Sequence, residues 1–221
     1  MTHCGAMCVF IILFCVKIVK LRMGAILAFV VFLLSMFPSL CFPHPHVFIE
    51  NTLTIVFDRQ GLEGILVKWI FDEFFSSMIT GEFDSNHNGE LEDTEIRTIK
   101  EKAFVNLANF EYFTFIKIEK KIFNVKYVRN FSAALAGGKL IYEFYIPCHV
   151  KATPAFKEFT ITQYDPTYYT SVAFAKDNPV RLDSDSDFEV SYRIAKNTKK
   201  AYYFGQVNPV EVILKFCRKN D

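Results

Sequence analysis

Residues 84–95 read DSNHNGELEDTE, a run in which oxygen-bearing side chains recur at alternate positions. Asp84, Asn86 and Asn88 supply side-chain oxygens at loop positions 1, 3 and 5. Glu90 would offer its backbone carbonyl at position 7, Glu92 binds directly or through water at position 9, and Glu95 can chelate with both oxygens at position 12. Gly89 at position 6 permits the sharp turn, and Leu91 at position 8 points inward. Calcium takes six to eight hard oxygen ligands, and this spacing wraps them around one point, as in an EF-hand loop. Asparagine at positions 3 and 5 lowers the ligand charge. The expected dissociation constant is therefore weak, about 10⁻⁴–10⁻³ M, which suffices outside the cytosol. His87 falls at a non-ligating position.

A second set of donors lies in CFPHPHVFIE, residues 41–50, where His44 and His46 stand two apart. In an extended segment, imidazoles at i and i+2 share a side, and Pro43 and Pro45 stiffen that extension. Neutral imidazole suits zinc, nickel, copper and cobalt. Two histidines do not complete a site; Glu50 on the same face, or His149, is the candidate third ligand. The alternative is a polar terminus with no metal role. No G-x-S-x-G, H-E-x-x-H or Cys-His arrangement is present, so the chain is not expected to be an enzyme. In YDPTYYTSV, residues 164–172, Asp165 and the tyrosines either line a pocket or form a turn followed by an aromatic strand; the second reading is favoured.

Elements that would position these groups follow from periodicity. Val47, Ile49, Leu53, Ile55 and Phe57 alternate with polar residues, and Ile65, Val67, Trp69 and Phe71 alternate again beyond the turn Asp58–Gly61, predicting a hairpin. Phe71, Phe74, Phe75, Met78 and Ile79 then recur at helical spacing, as do Ile96, Ile99, Ala103 and Leu107, placing a helix on each side of the loop. Further strands are predicted at 112–119, 122–129, 139–147, 157–164, 169–175, 187–195 and 209–216. The fold class expected is α+β, mainly β: an antiparallel β-sandwich with an EF-hand-like helix-loop-helix inserted at about 72–109.

The chain has 221 residues, 25 of them Phe, and a net charge of +1. No basic excess suggests a nucleic-acid partner. The charge is unevenly spread: Lys17, Lys20 and Arg22 are the only bases before Phe42, and no acid precedes Glu50. The apolar run 24–37 follows those bases and is ended by Pro38, the pattern of a secretory signal peptide with a cut after Cys41. The domains expected are thus a leader, 1–41, and one β-rich domain, 42–221, which is exported. The alternative is an uncleaved anchor in the inner membrane, since residues 23–42 are just long enough to span it. After export, Cys148 and Cys217 either pair as a disulfide or remain buried thiols.

The exported start HPHVFIE, the segment WIFDEFFS, FDSNHNGELEDTE and ITQYDPTYYTSV together resemble an uncharacterised bacterial family. Its members are described as periplasmic components of ABC-type transport systems. The resemblance spans roughly 43–216. It implies an accessory of nickel, cobalt or zinc transport whose partner is an inner-membrane metal permease, with His44 and His46 as transition-metal ligands. The function expected is a periplasmic metal-binding accessory protein carrying a calcium loop; the alternative is a calcium-stabilised exported interaction or adhesion module with no transported ligand.

Overall fold

The computed structural model describes residues 45–184 and 187–219. The leader, Cys41 and His44 lie outside the described residues. Val47–Asp58 forms β1 and Gly61–Phe71 forms β2, joined by a tight turn in which Asp58 Oδ1 accepts from Gln60 N–H and Gly61 N–H at 2.8 and 2.9 Å. Gly61 is required there: a Cβ at this position would lie 2.3 Å from the Val150 carbonyl oxygen. The alternation holds. Val47, Ile49, Leu53, Ile55 and Phe57 are buried, while Phe48 and Glu50 are exposed.

Two sheets result. The first runs β5 (Arg129–Ala136), β6 (Lys139–Lys151), β2, β1, β8 (Thr170–Phe174), and β9 (Val180–Asp183) also pairs with β1. The second runs β10 (Phe188–Lys196), β11 (Val210–Arg218), β7 (Lys157–Gln163), β3 (Thr114–Ile118), β4 (Lys121–Asn124). All pairings are antiparallel except β1 with β8 and with β9, which are parallel. The chain is mainly β, with two sheets facing one hydrophobic core, as the alternating pattern predicts. Trp69, Phe144, Phe159 and Phe216 are fully enclosed between them. Trp69 meets Phe144 edge-on at 4.9 Å between ring centroids, and Phe57 meets Phe216 edge-on at 5.3 Å. Aromatic side chains each bury about 150–250 Å², so this cluster carries much of the core's apolar burial.

The connection from β2 to β3 is helical. Glu73–Phe83 forms α1 and Asp93–Lys102 forms α2; Phe104–Phe113 continues as 3-10 turns, broken at Phe110–Tyr112, where Glu111 and Tyr112 have positive φ. Both helices flank the 84–95 loop, as the spacing predicts. Three expectations need correction. The buried face of α1 is Ser76, Ile79 and Phe83, whereas Phe74 is 76% exposed and Met78 50% exposed. Ser76 is selected because its hydroxyl accepts from Leu140 N–H at 2.8 Å, fastening α1 to β6. The predicted strand 122–129 straddles two elements: β4 ends at Asn124, and β5 begins at Arg129 after an unpaired stretch. β9 was not anticipated, being four residues long with three of them exposed.

Cys148 and Cys217 are both free thiols, half-buried and buried respectively. Burial pushes the Cys148 thiol up to about 12. Among the described residues no helix is long and apolar enough to cross a membrane.

Candidate metal centre

The loop is closed by its own first and last carboxylates. Asp84 is 2% exposed and Glu95 7% exposed, an unusual depth for acids. A buried carboxylate without hydrogen-bond donors would be strongly destabilising, and each of these has donors. Asp84 Oδ2 accepts from Gly89 N–H at 2.9 Å and Oδ1 from Asn88 N–H at 3.2 Å. Glu95 Oε1 accepts from Ser85 N–H at 2.7 Å and Oε2 from Glu92 N–H at 3.2 Å. Position 12 is thereby held beside position 1 across ten residues of chain.

The intervening residues are set by side-chain turns. Asn86 Oδ1 accepts from Asn88 N–H at 3.0 Å, and Asn88 Oδ1 from Glu90 N–H at 2.8 Å, the local bonding for which Asn is suited. Gly89 takes φ +78°, with open space where a Cβ would lie, so its role is conformational freedom at the turn. His87 is exposed with φ 56°, and Leu91 packs against the core. The Nδ2 groups of Asn86 and Asn88 both donate to Glu92 Oε1, at 2.9 and 2.7 Å. A hydrogen bond with the Glu95 carboxyl, then those two amides, hold the Glu92 carboxyl down at about 2. Glu92 also starts α2, where it forms a capping box with Glu95. All the predicted oxygen donors except the Glu90 carbonyl thus join one hydrogen-bonded set. A polar cleft of about 250 Å³, lined by Ser85, Thr94 and Glu95 among others, opens beside it.

The donor set fits a hard cation. Asp84, Glu92 and Glu95 concentrate negative charge, the Asn side chains and the Glu90 carbonyl add neutral oxygens, and no nitrogen or sulfur ligand intrudes. Among the described residues no three His, Cys, Asp or Glu side chains cluster to hold a metal ion. Asp84, Glu92 and Glu95 are thus not drawn around one point, and a bound cation would have to bring them together.

The histidine set is treated differently by the fold. His46 is exposed at the start of β1; its ring stacks on Tyr169 with centroids 5.0 Å apart, and its N–H donates to the Tyr169 carbonyl at 2.8 Å. Glu50 shares the exposed face of β1. His149 does not join them. It sits near the end of β6, beside the pairs Gly61–Lys151 and Leu62–Val150, at the opposite end of the sheet from His46. At about 3.3 Å per residue the two ends of β1 are roughly 35 Å apart. The front segment is instead tied to the helical insert: Asp72, the N-cap of α1, accepts from Phe48 N–H at 2.7 Å through Oδ2 and from Phe75 N–H at 2.9 Å through Oδ1.

The YDPTYY segment forms a turn, with Asp165 accepting from Thr167 N–H at 2.8 Å and from Thr170 N–H at 3.0 Å. Its Tyr164 and Tyr168 nevertheless also line a cavity, together with Asn51 and Gln163, two residues that sequence reasoning passed over. The signal for Asn51 was available: an amide at an inward position of an otherwise apolar alternation.

A family model described as a protein of unknown function (DUF1007) matches residues 29–208. The chain belongs to the DUF1007 family. A relative in Spirochaeta aurantia, described as an uncharacterized 15.5 kDa protein in the trpE 3′ region, is 30% identical over 126 residues, covering 57% of this chain and 89% of that protein. A Haemophilus influenzae relative, described as an uncharacterized protein, is 26% identical over 140 residues, covering 62% of this chain and 66% of that protein. The match to the DUF1007 model takes in β1, the helical insert and its loop, and the YDPTYY turn.

Proposed function

We propose that this DUF1007 chain is an exported β-sandwich protein whose helix-loop-helix binds calcium. The observation that carries this reading is the burial of loop positions 1 and 12: Asp84 and Glu95 are both enclosed, each carboxylate is capped by backbone N–H groups of the loop, and Asn86, Asn88 and Glu92 are hydrogen-bonded to one another beside them. Bound calcium would supply a divalent positive charge to three carboxylates that now rely on N–H donors. Isothermal titration of the purified protein with calcium, with Glu95→Gln alongside, tests it. Binding at a dissociation constant of about 10⁻⁴–10⁻³ M, abolished in the variant, is the expected result; equal heats from both proteins, or none, would refute it.

A second reading adds a transition metal. In it, the chain is a periplasmic accessory of zinc, nickel or cobalt transport, with His44 and His46 as ligands and an inner-membrane permease as partner. The supporting observation is that the His46 segment is fastened at Tyr169 and, through Phe48, at Asp72, so an imidazole is presented at a fixed position just before β1. Zinc titration of the exported protein, compared with His44→Ala/His46→Ala, decides it: loss of zinc affinity in the double variant supports the accessory role, and unchanged affinity removes it.

A further inference from the structure

Asn51 occupies the inward face of β1 between Ile49 and Leu53 and is 1% exposed, yet among the described residues neither its Oδ1 nor its Nδ2 has a hydrogen-bond partner. Because both atoms are unpartnered, reversing the amide changes nothing. Gln163, the last residue of β7, is 4% exposed; its Nε2 donates to Thr114 Oγ1 at 2.9 Å, but its Oε1 has no partner among the described residues. The two amides line the same cavity, of about 350 Å³, where β1 and β8 of one sheet approach the end of β7 in the other. Buried side-chain amides in native proteins nearly always have partners, and three such atoms in one cavity call for a ligand that completes them.

The remaining walls state what the ligand is like. Tyr164, Tyr168 and Tyr202 line the cavity, as do Val172 and Phe174 from β8. Tyr202 stands 4.5 Å from Tyr164 and 5.9 Å from Tyr168 between ring centroids. No Asp, Glu, His, Lys or Arg lines it among the described residues, and the nearby Asp165 carboxylate is taken up by Thr167 and Thr170. Burial raises the Tyr202 hydroxyl to about 12, so that wall stays neutral at ordinary pH. A charged ligand would therefore enter uncompensated. Asn51 and Gln163 sit at the most buried positions, whereas Tyr168, Tyr202, Val172 and Phe174 are half-buried, as are the polar Ser171 and Asn208 nearer the mouth. A ligand with one polar edge in the depth and flat faces against the tyrosines fits this arrangement.

We propose that this cavity binds a planar, uncharged heterocycle through a cyclic-amide edge, paired to Asn51 and Gln163 and flanked by the tyrosines. Asn51 presents a donor beside an acceptor, the complement of a ring N–H beside a carbonyl, and Gln163 Oε1 accepts a second ring N–H. The volume lies within the range of small-molecule pockets. The site is separate from the calcium loop and does not rest on it.

Uracil, with two ring N–H groups and two carbonyls, is the probe, and 1,3-dimethyluracil, which lacks both N–H donors, is the control. Protein purified from cells expressing the full chain is ¹⁵N-labelled, and both compounds are titrated by NMR. The expected result is a saturable shift of the Asn51 side-chain amide with uracil, at least about tenfold weaker with the dimethyl compound, as the loss of one or two hydrogen bonds requires. Asn51→Leu abolishes binding and raises the melting temperature, because an unpartnered amide is replaced by an apolar side chain of similar size. Tyr202→Ala, on the half-buried wall, weakens binding without disturbing the core and serves where Asn51→Leu does not fold. Absence of any shift with uracil, equal shifts with both compounds, or an Asn51 amide that exchanges with a buried water only, would overturn the proposal.

Discussion

Replacing Glu95 by Gln tests the proposed calcium loop at one of its two buried carboxylates. Without calcium, the carboxylate accepts from Ser85 and Glu92 N–H groups. Gln keeps one acceptor and turns an NH₂ toward the other donor, so one hydrogen bond to a charged group is lost, about 1.5–3 kcal/mol. With calcium the loss is larger. A ligand that binds only the folded state contributes RT ln(1 + [L]/Kd), which for Kd of about 10⁻⁴–10⁻³ M and about 10 mM calcium is roughly 1.4–2.7 kcal/mol. A domain of this size shifts its midpoint by about 2–4 °C per kcal/mol. Circular dichroism melts should thus show the wild type rising by roughly 3–11 °C between EGTA and about 10 mM calcium. Glu95→Gln should melt lower in EGTA and gain nothing from calcium. A wild-type midpoint that calcium does not move, or that magnesium moves equally, would refute the reasoning, since magnesium resists giving up its waters to an all-protein cage.

Further outcomes follow from single contacts. Glu92 is held at about 2 against its ordinary 4.5, so the stability it contributes is complete above about 4.5 and is lost as pH falls toward 2; in buffer stripped of calcium beforehand, Glu92→Gln should flatten the decline of the urea midpoint over that window. Ser76→Ala leaves the Leu140 N–H without its acceptor in a buried contact and should cost about 1–3 kcal/mol in urea unfolding, with no change in calcium affinity. The thiols of Cys148 and Cys217 should alkylate slowly in the native protein and at once in urea, one adduct on each being read by peptide mass spectrometry; neither residue modified in urea would show a disulfide between them instead.

The parts of the fold legible in sequence are those where one period dominates. β1 and β2 alternate cleanly because one face meets the core and the other does not, and their buried residues are the ones the pattern names. The helices on either side of residues 84–95 were legible from spacing, and within the loop Asp84 and Glu95 are both buried and capped by backbone N–H groups. The buried face of α1 is not legible from hydrophobic spacing alone. Phe74 and Met78 are exposed, while the small polar Ser76 is enclosed to meet a backbone N–H of β6, a tertiary demand that no local pattern encodes. β9 escaped notice because its one buried residue, Val180, gives no period. His149 was grouped with His46 on residue type alone; strand register separates them by the length of the sheet.

The helical insert is built into the sandwich core, and this governs how far a loop ligand can reach. Ile79 and Phe83 of α1, Ile99 of α2 and Phe104 beyond it all belong to the same buried cluster as Trp69 and Phe144. Phe104 stacks on Phe131 of β5 at 4.0 Å and meets Phe144 of β6 at 5.3 Å. Asp72 joins the start of α1 to β1, and Ser76 joins it to β6. Unfolding the loop therefore removes apolar contacts from the first sheet as well as the helices, so the free energy gained at Asp84 and Glu95 counts toward the stability of the sandwich as one cooperative unit. A calcium loop on a flexible tether would protect only itself; anchored by Phe83 and Ile96 at its two ends against a shared core, the loop would, if it binds calcium as proposed, turn a weak ion site into a global stabiliser wherever the cation is abundant.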